Sequence, residues 1–265
     1  AHFNPAVNSG ILTGIVGSQI FAGLIRYDRQ GLPHPHLAKS WEYSEDGLML
    51  TLHLRENAVF HDGAPISSKD VIFSIQTVQQ FHPFTPMLEA IEGLEAPDAH
   101  TVIIRLRHRH LALLKIFTST LTPILPAHIY GDGQNIRTHP ANLTPVGSGP
   151  FRLTAYQPGR RIILERFDRY FLENRPFLDT LEFEIFPGPD EILMSMEAGE
   201  VHLTGFSPLA DHHEQFARTE HLIVSTEGYD GLGAMLWIGF NLKNAPFHDR
   251  RVRQALDLAI DREFI

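Results

Sequence analysis

The stretch Phe240-Asn-Leu-Lys-Asn-Ala-Pro-Phe-His-Asp-Arg-Arg-Val-Arg-Gln-Ala-Leu-Asp-Leu-Ala-Ile-Asp-Arg-Glu-Phe-Ile265 decides the fold. Asp249 has the short polar side chain of a helix N-cap. Behind it Val252, Ala255, Leu256, Ala259 and Ile260 recur at the i, i+3, i+4, i+7, i+8 spacing of a single apolar helix face. No Gly, Asn or Pro follows to close that helix before Phe264-Ile265. The expectation is therefore a chain that stops within or just after a helix whose apolar face lacks a partner. Ahead of this stretch, Met235 to Phe240 reads as a strand that feeds the helix through Ala245-Pro246.

Working back toward the N-terminus, strands and helices alternate without repeats or low-complexity segments. Asn8-Ser-Gly-Ile-Leu-Thr-Gly14 reads as a loop leading into a short helix over 15–25, and Arg29-Gln-Gly31 as a turn. Leu48, Leu50, Leu52 and Leu54 alternate, and with Trp41 to Ser44 and the turn Glu45-Asp-Gly47 they predict a hairpin. Phe60-His-Asp-Gly63 is a tight turn, in which Gly supplies positive φ and Asp bonds the backbone two residues on. Ser67 or Ser68 caps a helix through Val71, Ile72, Ile75 and Val78. Pro97-Asp98 reads as a turn before a strand from Thr101 to Leu106. Short helices are expected over 111–117 and from Leu125-Pro126 to Tyr130. A second hairpin spans Phe151 to Phe167 around Pro158-Gly159, a strand follows over 181–186, and a helix from Asp190 closes at Gly199. This mixture points to an α/β architecture rather than a sandwich or a bundle.

Composition removes several functions. Twenty-two Lys and Arg against 31 Asp and Glu give a net charge of −9, with no cationic cluster suited to a phosphate backbone, so nucleic acid is not expected as a partner. The basic run Arg105 to His110 reads as the solvated end of a strand. The absence of cysteine excludes disulfides, zinc–thiolate sites and thiol nucleophiles. No run reaches the roughly 18 apolar residues of a membrane helix. No signal-peptide pattern opens the chain, so export rests on resemblance alone.

The terminal stretch resembles the signature of the family 5 bacterial extracellular solute-binding proteins, receptors of peptide, nickel and related ABC importers. Collinear matches extend the resemblance over nearly the whole chain: Asn4-Pro5, Leu24 to Asp28, Leu37 to Glu42, Ser44 to Gly47, Leu54-Arg55 with Phe60 to Gly63, Lys69 to Val71, Ile124 to Ile129, Pro145 to Phe151, Tyr170-Phe171 and Ala198 to Val201. The resemblance implies a periplasmic binding protein-like class II fold, with mixed sheets flanked by helices, a first lobe carrying an inserted subdomain, and a truncated second lobe. Subdomain I would comprise 1–40 and 146–240, subdomain II 41–145, and the hinge with the first helix of the second lobe 241–265. It further implies a monomeric periplasmic receptor, or a membrane-anchored lipoprotein, that captures a di- or oligopeptide between its lobes. The receptor would deliver that solute to membrane permease subunits, using neither a cofactor nor catalytic residues.

In such receptors the N-terminal loop faces the cleft. Here Ile11 and Leu12 replace small or polar positions, which makes the ligand surface more apolar. Leu12, Thr13 and Gly14 are accordingly ligand-facing candidates, together with Trp237 just ahead of the hinge. The acidic residue of peptide-binding members and the histidine of nickel-binding members lie in the second lobe, beyond the match. Nickel or another small solute is the alternative within the family. From another class, a metal-dependent hydrolase would need the histidine pairs His34/His36, His108/His110 and His212/His213, but no His-Glu-x-x-His spacing or G-x-S-x-G accompanies them. These histidines read as solvated, and Phe60-His-Asp-Gly63 as a turn rather than a catalytic His–Asp pair.

Overall fold

Helix α1 (Ile11–Ile20) starts earlier than the sequence predicts and takes in the Ile11 to Gly14 segment read as loop. Its glycines and Thr13 are weak helix formers, and tertiary contacts override them. Asn8 Oδ1 accepts the Gly10 N–H at 2.7 Å ahead of the first turn, and the Thr13 hydroxyl donates to His2 O at 2.8 Å. The helix stops at Ile20 rather than Ile25, because Ile25 belongs to strand β1 (Ile25–Tyr27), which pairs with β2 (Pro33–Pro35).

The computed structural model describes residues 2–204, 213–219, 221–225 and 238–261, and the chain divides into one unit over 1–224 and another over 225–265. In the first unit, β3 (Ala38–Tyr43) and β4 (Met49–Leu54) form the expected hairpin around Gly47, whose φ is 68°. Leu50, Leu52 and Leu54 point into the core while Leu48 is partly exposed. Asp70 opens α2 (Ser68–Phe81): its carboxylate accepts from the Ser67 N–H at 2.9 Å and from the Ser67 hydroxyl at 2.8 Å, and it also accepts the Ala127 N–H at 3.0 Å.

The sequence reading missed β5 (Ile91–Asp98) and took its Pro97-Asp98 end for a turn. Among the described residues β5 pairs only with β6 (Thr101–Leu106), giving the four-stranded order β3-β4-β6-β5. An edge strand tolerates Pro and Gly and carries charge on its free side, so its composition imitates a loop. The expected helix over 111–117 is a short 3-10 turn, Leu113–Ile116, and α3 spans Ala127–Tyr130. The second hairpin is β7 (Phe151–Gln157) with β8 (Arg161–Arg166), joined by β9 (Thr180–Glu184) in a three-stranded antiparallel sheet. Helix α4 (Pro189–Glu197) is followed by Gly199 at φ 73°. Leu193 of α4 packs with Phe216 of α5 (His213–Arg218) in a small cluster apart from the main core. That main core joins Val16 and Ile20 of α1, Val71 and Ile75 of α2, Val102 and Ile104 of β6, and Ile162 and Leu164 of β8.

In the second unit, Asp249 is the N-cap of α6 (Arg250–Ala259), its Oδ1 accepting the Arg251 N–H at 2.9 Å. Arg253 ties the incoming segment down by donating to Phe247 O at 2.7 Å. No described residue of α6 is buried. Of the expected strand from Met235 to Phe240, Met235 to Trp237 lie outside the described residues, and Ile238 to Phe240 are not in regular structure. His212 of the His212/His213 pair also lies outside them.

Candidate functional site

Helix α1 is held at both ends. At its start, the buried Asn4 donates from Nδ2 to Asn142 Oδ1 at 2.9 Å, and Phe3 N–H donates to Asn142 O at 2.9 Å, which fixes the strand of chain entering the helix. At its end, the Gly149 N–H donates to Ile20 O at 2.7 Å. A Cβ on Gly147 or Gly149 would collide with the backbone carbonyls of Ile20 and Gln19, so only glycine allows this approach. The glycines of Val146-Gly-Ser-Gly-Pro-Phe151 thus serve backbone packing, with no cradle for phosphate.

The Phe60-His-Asp-Gly63 turn locks the same junction. His61 N–H donates to Gly147 O at 2.8 Å, its Nδ1 accepts the Gly147 N–H at 3.3 Å, and its Nε2–H donates to Gly149 O at 3.1 Å. This pattern needs the neutral ring with its proton on Nε2. Burial against Phe167 and neighbouring groups pushes the His61 pKa down to about 4, an effect the Gly149 carbonyl only partly offsets. Asp62 turns away from His61. Its Oδ1 accepts the Ala64 N–H at 3.0 Å, two residues on, and its Oδ2 meets His128 Nε2 at 2.7 Å. The adjacent His and Asp therefore form a structural clamp and a separate surface pair.

A second histidine does the same work nearby. His36 Nδ1–H donates to Gly23 O at 3.0 Å, and the Tyr170 hydroxyl donates to His36 Nε2 at 2.8 Å. Burial lowers the His36 pKa to about 4 and raises that of Tyr170 to about 12. The expectation that the close histidine pairs are solvated fails for His36, which is shut in by Tyr170 and Phe171. His34 instead pairs with Asp28 at 2.6 Å, the bond that chiefly holds the Asp28 carboxyl below its usual range.

With both ends fixed, α1 presents one side to a cavity of 430 Å³. Asn8 to Ile11, Gly14, Ile15, Ser18 and Gln19 form one wall, and His82, Phe84, Thr120 and Leu121 the other. The volume falls in the ~300–1,000 Å³ range of small-ligand sites. Its walls are mainly apolar, and His82 is the one titratable side chain among the lining residues. Such a site can hold an apolar group and orient it through a few neutral polar contacts, without supplying formal charge.

The model of the bacterial extracellular solute-binding proteins, family 5 (middle region), matches residues 33–265. The chain belongs to this family. Among its relatives, the oligopeptide-binding protein AppA of Bacillus subtilis is 27% identical over 99% of this chain and 48% of its own length. The structure of AppA in complex with a nonapeptide superposes with a TM-score of 0.82 at 26% identity, over 100% of this chain and 52% of that one. NikZ of Campylobacter jejuni, solved with Ni(L-His), gives a TM-score of 0.77 at 26% identity, over 99% of this chain and 52% of that one. The chain spans about half the length of the curated relatives it matches. These neighbours confirm the α/β solute-binding fold read from the sequence.

Within this family 5 chain, the residues singled out from the sequence fall on different sides of α1. Gly14 lies on the cavity wall, as does Ile11. Leu12 is partly buried against the main core, and Thr13 is buried with its hydroxyl on His2 O. Helical geometry separates them: residues 11, 14, 15 and 18 share a face that 12 and 13 do not. Trp237 lies outside the described residues. Sequence reasoning passed over the facing wall, His82 and Phe84. Their signal was the Phe81-His-Pro-Phe84 segment, where Pro ends α2 and aromatic rings enter a loop. Among the described residues no group of three or more His, Asp or Glu is placed to hold a metal ion.

Proposed function

We propose that the chain is part of the solute receptor of an ABC importer, and that the α1 cavity is the part of its ligand site supplied by residues 1–224. The carrying observation is the cavity itself: a mainly apolar, pre-formed pocket whose wall is the helix that two family motifs, Phe60 to Gly63 and Pro145 to Phe151, converge to fix. A peptide is the ligand class that best suits it, since an apolar wall with scattered neutral polar groups accepts varied side chains. Similarity to a receptor solved with a nonapeptide supports the same class. Capture occurs without turnover, and closure of a second lobe over the solute is the state a membrane permease reads. The protein works outside the cytoplasmic membrane. The two larger sheets lie within 38–106 and 151–184, which supports separating a part over about 41–145 from the chain after 146, while residues 225–240 fall in the second unit.

The test is thermal denaturation of the full-length receptor with tripeptides, nonapeptides and Ni(L-His) complexes. A shift of several degrees with peptides, and no product formed, is expected. A response to the nickel complex alone would replace the peptide reading with the metal one, and no response to any of these would refute it.

A further inference from the structure

One side chain of the α1 cavity carries a buried ring nitrogen without a hydrogen-bond partner among the described residues. His82 follows α2, is 4% exposed and lines the cavity. Its Nδ1 accepts the Phe84 N–H at 3.1 Å, which leaves the proton of the neutral ring on Nε2. Burial lowers its pKa, so the ring is neutral near pH 7. Nε2 is buried and meets no hydrogen-bond partner among the described residues. Other polar groups of the walls are engaged: Ser18 Oγ donates to Ile15 O at 2.9 Å, Gln19 Nε2 donates to Ser18 Oγ at 3.2 Å, and Thr120 Oγ1 lies 3.2 Å from Thr118 Oγ1. A buried donor left without an acceptor carries its full desolvation cost, and native proteins keep such groups where something else completes them. Beside it, Ile11 and Phe84 expose apolar surface, 64% and 48% of each residue.

We propose that His82 is a specificity-determining residue of this receptor: its Nε2–H donates to a carbonyl or carboxylate oxygen of a bound peptide whose neighbouring apolar side chain seats against Ile11 and Phe84. The proposal rests on the peptide reading above. Nε2 has no exposed surface of its own in the cavity wall, so the proposal includes a small rotation of the His82 ring that brings it to the acceptor on binding.

The two nitrogens of His82 can be separated by substitution. In His82→Asn an amide oxygen takes the place of Nδ1 and can still accept from Phe84, but the Nε2 donor is gone. In His82→Gln an amide N–H stands near the Nε2 position, but the acceptor for Phe84 is lost. Titration calorimetry of the full-length receptor with trileucine at pH 7.5 should show His82→Asn binding about tenfold more weakly, the scale of one lost hydrogen bond, with Tm lowered by only a few degrees by the smaller side chain. His82→Gln should lower Tm yet stay within about threefold of wild-type affinity, since a donor is retained. Wild-type affinity in His82→Asn would overturn the role of His82 while leaving the peptide reading intact. If His82→Asn fails to fold, a folded His82→Gln that loses tenfold or more in affinity overturns it instead. Absence of trileucine binding to the wild type would overturn this proposal, and if no other peptide binds either, the peptide reading falls with it.

Discussion

Acidification from pH 7.5 to 5.0 should strongly destabilise this chain, because His36 and His61 are neutral structural groups. Each has its pKa lowered from 6.5 to about 4. Below 6.5 the unfolded chain therefore binds more protons than the folded one, and stability that is complete above 6.5 is lost as pH falls toward 4. At pH 5.0 the unfolded rings are almost fully protonated and the folded rings almost fully neutral. At ~1.4 kcal/mol per pH unit, the loss is about 2 kcal/mol for each histidine, or about 4 kcal/mol together. For a chain of this size, ~2–4 °C per kcal/mol makes this a fall in Tm of about 8–16 °C. His2 and His82, also shifted down, act in the same sense. The carboxyls of Asp28 and Asp62 are held below their ordinary 3.8, so their contribution is lost only as pH falls through that lower range, outside this interval. Differential scanning calorimetry at the two pH values, on wild type and on His61→Gln, makes the measurement. Gln retains a donor for Gly149 O but does not titrate, so the fall should shrink by about 4–8 °C. A wild-type fall of under about 3 °C, or an undiminished fall in His61→Gln, would refute the assignment of neutral clamps.

Three further outcomes follow from single contacts. Asp70→Ala removes the acceptor of the Ser67 N–H, the Ser67 hydroxyl and the Ala127 N–H, and should cost about 2–3 kcal/mol in urea unfolding. Gly149→Ala drives a methyl into the carbonyls at the end of α1, and should lower stability by about 2 kcal/mol or more and impair ligand binding with it. Gly14→Leu is the complementary case: a Cβ there meets nothing within 4 Å, so the side chain should enter the cavity and abolish peptide binding while Tm stays within a few degrees of wild type.

Elements with a strong local period are legible in the sequence. The leucine alternation of β4, the capped apolar face of α2, the Gly-marked hairpins and the Asp249 cap of α6 are found where the sequence puts them, because each is set by side chains within a few residues of one another. Two elements are not. α1 carries Thr13, Gly14 and Gly17, whose local preference opposes a helix, and is held by contacts of Thr13 with His2 and of Ile20 with Gly149, behind a Phe3-Asn4 segment fixed on Asn142. β5 owes its strand state to pairing with β6. The same division runs through the site. Gly14 was readable as part of the N-terminal segment that faces ligand in similar proteins, whereas the separation of Gly14 and Ile11 from Leu12 and Thr13 depends on that segment being helical.

Family membership, the α/β class and the absence of thiol chemistry follow from composition and from motifs contiguous in the chain. What those motifs do follows from how the chain folds in space. His61 and Gly149 stand far apart in sequence, yet a hydrogen bond of 3.1 Å joins them, and the cavity exists because α1, the end of α2 and the Thr120-Leu121 loop meet in space. Burial and partner identity are properties of that meeting. They turn a His-Asp dipeptide with the look of chemistry into a clamp, and leave His82, with no motif around it, with a buried Nε2 that meets no partner among the described residues.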